Sequence, residues 1–378
     1  MSLIFFDKTK GQIFFINLLL IPFIFYYPLS EFRIIAVASY AFMLGTSFYQ
    51  ILIRKSVIKA QAYIIILSTL IFAISLVTFE NFGSQLLVFR LNFGFFILLL
   101  FFIPNKPSNI NKMIVFLSLW TIVEYLLIRI TPELIFILPH FDETYSISFT
   151  ELWLGGTHSF GGNRTVTGVL LTALFAYQDR VTNSQYKYKY LTLIGVFCAG
   201  SGAAFLLLIM YFLIKNYKNL KYLIVIVIPV FFIVFMPDEN EVYLIGKLNF
   251  SYIEWLFNYK SDQIIEYWNS INVIELIFGM GSESFKTLTD NIIPYGSFFG
   301  DFIILDFIAR YGLVGLLFTL LIINNNLKRE TTVPLLIILI GTLHYHVLFS
   351  MPGQLITVLL LTIKDNHSVT NVAGGKKV

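Results

Sequence analysis

The chain has 378 residues, of which 57% are hydrophobic and 13% are charged, and its mean hydropathy is +0.79. Soluble domains average about 25% charged residues, so this composition excludes an ordinary soluble enzyme or binding module. The formal net charge of +4 is spread over short loops and does not indicate a nucleic-acid partner. A single cysteine, Cys198, excludes an intrachain disulfide. Composition therefore predicts an all-α polytopic membrane protein.

Apolar runs approaching the length that crosses a bilayer recur along most of the chain. We interpret residues 1–378 as a single integral membrane domain of about twelve transmembrane helices. The predicted spans are 11–27, 34–53, 61–79, 86–103, 113–130, 164–178, 189–201, 202–214, 222–236, 302–323, 333–349 and 352–364. Two large loops separate them, one over residues 131–163 and the other over 237–301. Chemistry that needs water and polar side chains is expected in these two loops.

Lysine and arginine determine the expected orientation, because they are retained on the cytoplasmic side. If alternate loops are placed on the cytoplasmic side, these loops contain most of the 26 basic residues. These are Lys8, Lys10, Arg54, Lys55, Lys59, Lys106, Lys112, Arg180, Lys187, Lys189, Lys215, Lys218, Lys221, Lys328, Arg329, Lys364, Lys376 and Lys377. Both termini are then cytoplasmic, and both large loops lie on the external face.

The segment 189–214 permits two interpretations. It is either one long helix, which would invert everything after it, or two short spans broken at Gly200, Ser201 and Gly202. We favour two spans, because they keep the basic cluster from Lys215 to Lys221 on the cytoplasmic side.

Arg164 is the strongest candidate for a binding residue. It follows the glycine-rich sequence THSFGGN and opens an apolar run on the external side. A planar guanidinium binds phosphate through two parallel hydrogen bonds and stays charged at any relevant pH. The alternative is an arginine that only reaches from a helix end to the membrane surface. His158, six residues earlier, is a candidate general base.

Arg90 and Glu124 both lie inside predicted spans. An arginine in the middle of a membrane costs about 2.5–3.5 kcal/mol on insertion scales, so it is expected to face a partner or a watery cavity. The two side chains form a structural ion pair, or they contribute to a site.

The tenth predicted span begins with Asp301, Asp306 and Arg310. Asp306 and Arg310 are four residues apart and share a helix face, so they are expected to pair. Asp301 lies at the water boundary, where two roles are open to its carboxylate. It accepts a proton from a hydroxyl group, or it only stabilises the helix N-terminus.

His344 and His346 lie near the external end of the eleventh predicted span. Their spacing points them to different helix faces, so a shared metal ion is not expected. One of them lines a cavity, or both bond to neighbouring helices. The chain has no Walker phosphate loop, HExxH motif or GxSxG motif, and we expect neither a metal nor a cofactor.

Three sequences resemble motifs of one protein family. They are GNRTVTG around Arg164, IELIFGMGSESF in the second large loop, and GDFIILDFIARYGLVGLL at the tenth span. Together with the layout of spans and loops, they resemble the Wzy-type O-antigen polymerases, in the superfamily that also contains O-antigen ligases. The chain departs from ligase-like members in two places: Gly202 stands where they commonly have arginine, and Asp301 where they often have histidine.

The resemblance implies a glycosyltransferase of the bacterial inner membrane that acts on its periplasmic face. Its substrate would be an undecaprenyl-pyrophosphate-linked oligosaccharide, and a chain-length regulator would be a further partner. For this reaction Arg164, with Arg310 or Arg90, is expected to bind pyrophosphate. We propose Asp301 or His158 as the general base, and His344, His346 and Glu124 as possible side chains of the cavity. The alternatives are an O-antigen ligase and a flippase for the same lipid-linked unit.

Overall fold

The structure is a computed structural model, and it describes part of the chain. The described residues are 35, 38, 107–130, 159–161, 163–181, 188–215, 254, 258, 261, 265, 268–269, 271–279, 303–325, 327–345, 347–348 and 350–363. All regular structure in these residues is helical, and no strand occurs among them. The predicted spans 11–27, 61–79, 86–103 and 222–236 lie outside the described residues. Of the span 34–53 only Ile35 and Ala38 are described, and both are helical.

The helices with defined bounds are numbered in chain order. They are α1 (Pro107–Ile130), α2 (Arg164–Val181), α3 (Lys189–Ala199), α4 (Gly202–Lys215), α5 (Val273–Phe278), α6 (Ile303–Asn325), α7 (Thr332–His344) and α8 (Met351–Thr362). A 3₁₀ turn, Ser159–Gly161, precedes α2. The expected helices in these parts of the chain are therefore present, although several differ from the prediction at their ends.

Helix α1 has the composition and length of a membrane span. Its segment Ile110–Leu127 has 18 residues and a mean hydropathy of 1.5, and no other helix of the described residues meets the same criteria. Leu119, Val123 and Leu126 are exposed on its surface, as expected of side chains that face lipid. This observation is compatible with membrane association, and the number of twelve spans stays a prediction.

Helix α2 is the centre of the described bundle. Every residue from Val166 to Gln178 is buried, and α1, α3, α4 and α7 all contact this helix. Close approach is possible because small residues lie at the contact: a Cβ added to Gly168 would lie 2.7 Å from the Cβ of Ala204. Small residues at helix interfaces are typical of bundles whose stability comes from close van der Waals packing.

Helices α3 and α4 form a hairpin against α2. Helix α3 ends at Gly200, which has the left-handed conformation (φ 62°, ψ 33°) that glycine adopts without strain. Lys189 at the start of α3 and Lys215 at the end of α4 both bind the carboxylate of Asp179. One continuous helix would hold these two lysines roughly 39 Å apart, so the chain must reverse between them.

The reversal confirms the predicted break and rules out the single long helix. The lengths of the two helices do not fit the expected spans. Helix α3 has 11 residues and α4 has 14. At a rise of 1.5 Å per residue they are about 16 and 21 Å long, which is shorter than the roughly 30 Å of a bilayer core.

Asp179 closes this hairpin through three donors. Its carboxylate accepts hydrogen bonds from Lys189 (2.8 Å), from Tyr211 (2.7 Å) and from Lys215. Burial by itself would raise the pKa of Asp179, but these donors outweigh it and lower the pKa to about 2.

We expect the Asp179 cluster to make stability depend on pH in the acid range. Because the folded pKa of Asp179 is depressed, its stabilisation is fully present above about pH 4 and is lost as the pH falls toward 2. Asp179→Asn should lower the free energy of unfolding by about 2 kcal/mol at pH 7 and flatten the dependence between pH 4 and 2. Thermal unfolding of the detergent-solubilised protein across this range measures both effects. Parallel pH curves for the two proteins would contradict the assignment.

Two of the C-terminal helices differ from the predicted spans. Helix α6 is interrupted at Gly312 (φ 68°, ψ −179°), where the short helix α5 packs against it. Helix α7 ends at His344 rather than at the predicted residue 349, since Tyr345 is extended (φ −143°, ψ 158°). The chain between α7 and α8 is instead held by side chains: the hydroxyl of Thr342 accepts a hydrogen bond from the amide of Leu348 at 3.0 Å.

Candidate functional site

The structure locates some of the predicted site residues. Arg164 is the first residue of α2, and Glu124 lies on α1. Arg310 and His344 are helical positions whose side chains lie outside the description, and Arg90, His158, Asp301 and His346 lie entirely outside the described residues. Of the predicted residues, Glu124 and Arg164 are therefore the two whose side chains are described.

Glu124 and the start of α2 meet at one end of the bundle through the 3₁₀ turn. We call this group of residues the polar end: Thr121, Glu124, Ser159, Asn163, Arg164, Thr167 and Tyr345. Glu124 Oε1 accepts a hydrogen bond from the amide of Ser159 at 2.9 Å, and the hydroxyl of Thr167 accepts one from the amide of Gly161 at 3.1 Å. The loop before Arg164 is thus bonded to both α1 and α2.

Ser159 is held in an unusual backbone conformation. Its φ is 41°, and it is the one described residue other than glycine with a positive φ. Such a conformation costs roughly 1–3 kcal/mol and persists where surrounding contacts enforce it. Here the contacts are the hydrogen bond to Glu124 and a 2.9 Å hydrogen bond between the hydroxyls of Ser159 and Thr121. Strained residues of this kind cluster at functional sites. The turn is therefore a candidate part of a functional site.

Glu124 should matter to stability as a hydrogen-bond acceptor. Glu124→Ala leaves the amide of buried Ser159 without this acceptor, so we expect a loss of about 1–3 kcal/mol in the free energy of unfolding. Glu124→Gln keeps an acceptor oxygen and should lose much less. Melting temperatures of the two variants in detergent test the difference. Equal melting of Glu124→Ala and the unmodified protein would show that the turn does not depend on this bond.

Arg164 begins a helix whose N-terminus is tied to α7. The side-chain oxygen of Asn163 accepts a hydrogen bond from the amide of Thr165 at 2.7 Å, and its amide nitrogen donates to the hydroxyl of Tyr345 at 3.0 Å. The first turn of α2 contains no acidic residue. A helix N-terminus carries a partial positive charge and disfavours a cation, so an arginine here adds positive charge to a position that is already positive. Arg164 and the helix N-terminus together favour binding of an anion at this position.

Comparison with known proteins was made by sequence and by structure. No protein-family model, curated protein or solved structure matches the chain. The chemistry of the polar end therefore follows from its own residues and from the motifs in the sequence.

A second polar feature lies at the opposite end of α2. Arg164 and Asp179 are separated by fifteen residues of one helix, which is about 22 Å along its axis. Around Asp179 is a cavity of about 490 Å³. We call it the basic cavity, and its lining residues are Asp179, Arg180, Tyr211, Ile214, Lys215, Arg329, Glu330 and Val333. In the sequence alone, the cations among them are only markers of orientation.

Sequence reasoning also missed several residues of the polar end. Asn163 had a local signal, because asparagine directly before an apolar helical run is a preferred N-cap residue. Thr121, Ser159 and Tyr345 had none. The two hydroxyls of Thr121 and Ser159 are 38 residues apart in sequence, and the bond between Asn163 and Tyr345 spans 182 residues. Only the packing of the helices brings these groups together.

Proposed function

We propose that this protein polymerises undecaprenyl-pyrophosphate-linked oligosaccharide repeat units at the periplasmic face of a bacterial inner membrane. It is a polytopic glycosyltransferase with both termini in the cytoplasm. The donor is a glycan on its lipid carrier, and the acceptor is a hydroxyl group of a second lipid-linked unit. The reaction uses neither a nucleotide sugar nor a cofactor.

The proposed reaction exchanges one bond at the reducing-end sugar of the donor. The bond between its anomeric carbon and the pyrophosphate oxygen breaks, and a bond to the acceptor oxygen forms. The electron pair leaves with undecaprenyl pyrophosphate, and the acceptor proton passes to a general base, for which we propose Asp301 or His158. Arg164, with Arg310 or Arg90, stabilises the charge that gathers on the departing pyrophosphate.

The placement of Arg164 is the single observation that supports this proposal most. A guanidinium stands at the positive end of a buried helix whose first turn has no acidic residue. The neighbouring Asn163 is bonded to Tyr345, so the start of α2 is linked to the end of α7. A leaving group with two phosphates needs such a fixed positive site, since preorganised charge needs no rearrangement as the bond breaks.

Deletion of the gene in the native host tests the proposal. Because delivery of repeat units and their ligation do not need the polymerase, the deletion strain should retain surface glycan with one repeat unit and lose the long ladder. A gel of surface glycan separates these products, and the cloned gene should restore the ladder. An unchanged ladder in the deletion strain would contradict the proposal.

A flippase for the same lipid-linked unit is the second candidate. Transporters commonly contain interrupted helices at their substrate sites, and two interruptions occur among the described residues, at Gly200–Ser201 and at Gly312. A flippase predicts a different result in the deletion strain. Surface glycan would lose every repeat unit, including the single one, and repeat units would accumulate on the inner leaflet.

A further inference from the structure

The basic cavity has an excess of positive charge. Three cations line it, Arg180, Lys215 and Arg329, together with the carboxylates Asp179 and Glu330. Asp179 is bonded to Lys215 and also to Lys189, which approaches it from the start of α3. Its charge is therefore already neutralised within the hairpin, and the two arginines exceed the remaining carboxylate, Glu330, by one positive charge.

Arg180 and Arg329 come from different parts of the chain and meet at this cavity. Arg180 lies at the end of α2, and its guanidinium donates a hydrogen bond to the backbone carbonyl of Arg329 at 3.5 Å. Both arginines are exposed. Neither takes part in an ion pair with another described residue. Two cations that line the same cavity favour an anion there.

We propose that the basic cavity binds a phosphate group through Arg180 and Arg329, carried by an acidic phospholipid or free in solution. Guanidinium groups bind phosphate oxygens through paired hydrogen bonds. The cavity also has apolar side chains, Ile214 and Val333, and Ile214 is 51% exposed. These side chains suit the glycerol and first acyl carbons of a lipid, and basic pockets between helices on the cytoplasmic side of membranes bind acidic headgroups. This site is separate from the proposed catalytic end and does not depend on it.

Native mass spectrometry of the purified full-length protein in detergent tests the proposal. The probes are dioleoylphosphatidylglycerol, the matching diacylglycerol without phosphate, and inorganic phosphate. The phospholipid should bind at least about tenfold more tightly than diacylglycerol. Arg180→Gln and Arg329→Gln should each weaken its binding roughly fivefold, as expected for loss of about one basic contact. The matched control is Lys112→Gln, which removes one exposed cation from α1, outside the cavity lining. It should leave binding unchanged.

The probes also distinguish the two sources of the phosphate group. Displacement of the phospholipid only by other acidic lipids assigns the site to a headgroup. Arginine-dependent binding of inorganic phosphate, with no preference for the lipid, assigns it to free phosphate. Equal binding of phosphatidylglycerol and diacylglycerol, together with no binding of inorganic phosphate, would overturn the proposal. An equal loss in Lys112→Gln would overturn it as well, because the effect would then come from general surface charge.

Discussion

Replacing Arg164 with alanine should abolish the long glycan ladder while leaving the protein folded and at normal abundance. Removing one preorganised charge donor from a transition state typically costs 10²–10³ in rate, so we expect at least about a hundredfold loss of polymerisation. Arg164→Lys keeps the charge but loses the two-pronged hydrogen bonding, and it should have intermediate activity. The measurement is the chain-length distribution of surface glycan in the deletion strain that carries each variant.

Arg129 offers a matched control at the same end of the bundle. Its guanidinium lies 3.2 Å from the ring centroid of Tyr125 and donates to the carbonyl of that residue at 3.0 Å. Arg129→Ala also removes one arginine from this end, and we expect it to leave the ladder intact. A normal ladder with Arg164→Ala, or an equal loss with Arg129→Ala, would remove the assigned role of Arg164.

Replacing Gly312 with alanine should prevent α5 from packing against α6. Gly312 has a φ of 68°, and an added Cβ would lie 2.1 Å from the carbonyl oxygen of Ile277. A φ of 68° with a ψ of −179° is a conformation that essentially only glycine adopts, and it costs an L-residue roughly 1–3 kcal/mol. A clash with backbone cannot be relieved by turning a side chain. We expect a loss of about 3–5 kcal/mol in the free energy of unfolding. Melting temperature in detergent and protease cleavage within residues 273–279 measure the effect.

Gly202→Ala is the control for this prediction. Gly202 is the first residue of α4, and an added Cβ there would have no heavy atom within 4 Å. Alanine has the higher helix propensity, so this variant should melt like the unmodified protein or up to about 1 kcal/mol more stably. Similar melting of Gly312→Ala and Gly202→Ala would show that the contact between Gly312 and Ile277 does not hold the two helices together.

The interface at Gly312 joins two of the motifs on which the family resemblance rests. IELIFGMGSESF contributes Ile277 and Gly279, and GDFIILDFIARYGLVGLL contributes Gly312. The backbone nitrogen of Gly279 would lie 2.6 Å from an added Cβ on Gly312. Gly312 is therefore explained by backbone packed against backbone, and Gly279 by its own positive φ of 85°. These reasons are structural and hold whatever the protein catalyses.

Local signals in the sequence were sufficient to predict the ends of a helix where its own residues determine them. Helix α2 begins at Arg164 as predicted, because Asn163 can cap a helix and an apolar run follows. The hairpin turns at Gly200, where the sequence has the small residues that permit a left-handed end. The charge pattern also predicted that Lys189 and Lys215 lie at the same end, and their shared partner Asp179 confirms it.

Elements that depend on distant parts of the chain were not predictable in this way. The apolar run beyond His344 continues in sequence, yet α7 ends there, where the hydroxyl of Tyr345 accepts a hydrogen bond from Asn163, 182 residues away. Glu124 likewise accepts a hydrogen bond from Ser159, in a loop 35 residues away. The expected pair with Arg90 stays a prediction, since Arg90 lies outside the described residues.

Reconstitution of the purified protein would measure polymerisation without the rest of the cell. Purified protein in liposomes would be supplied with undecaprenyl-pyrophosphate-linked repeat units on the side of the large loops, without nucleotide sugar. We expect carriers that bear two or more units and one released undecaprenyl pyrophosphate for each bond formed, with neither product from Arg164→Ala. Units that cross the bilayer without being joined, or that remain single with no carrier released, would contradict the proposed polymerisation.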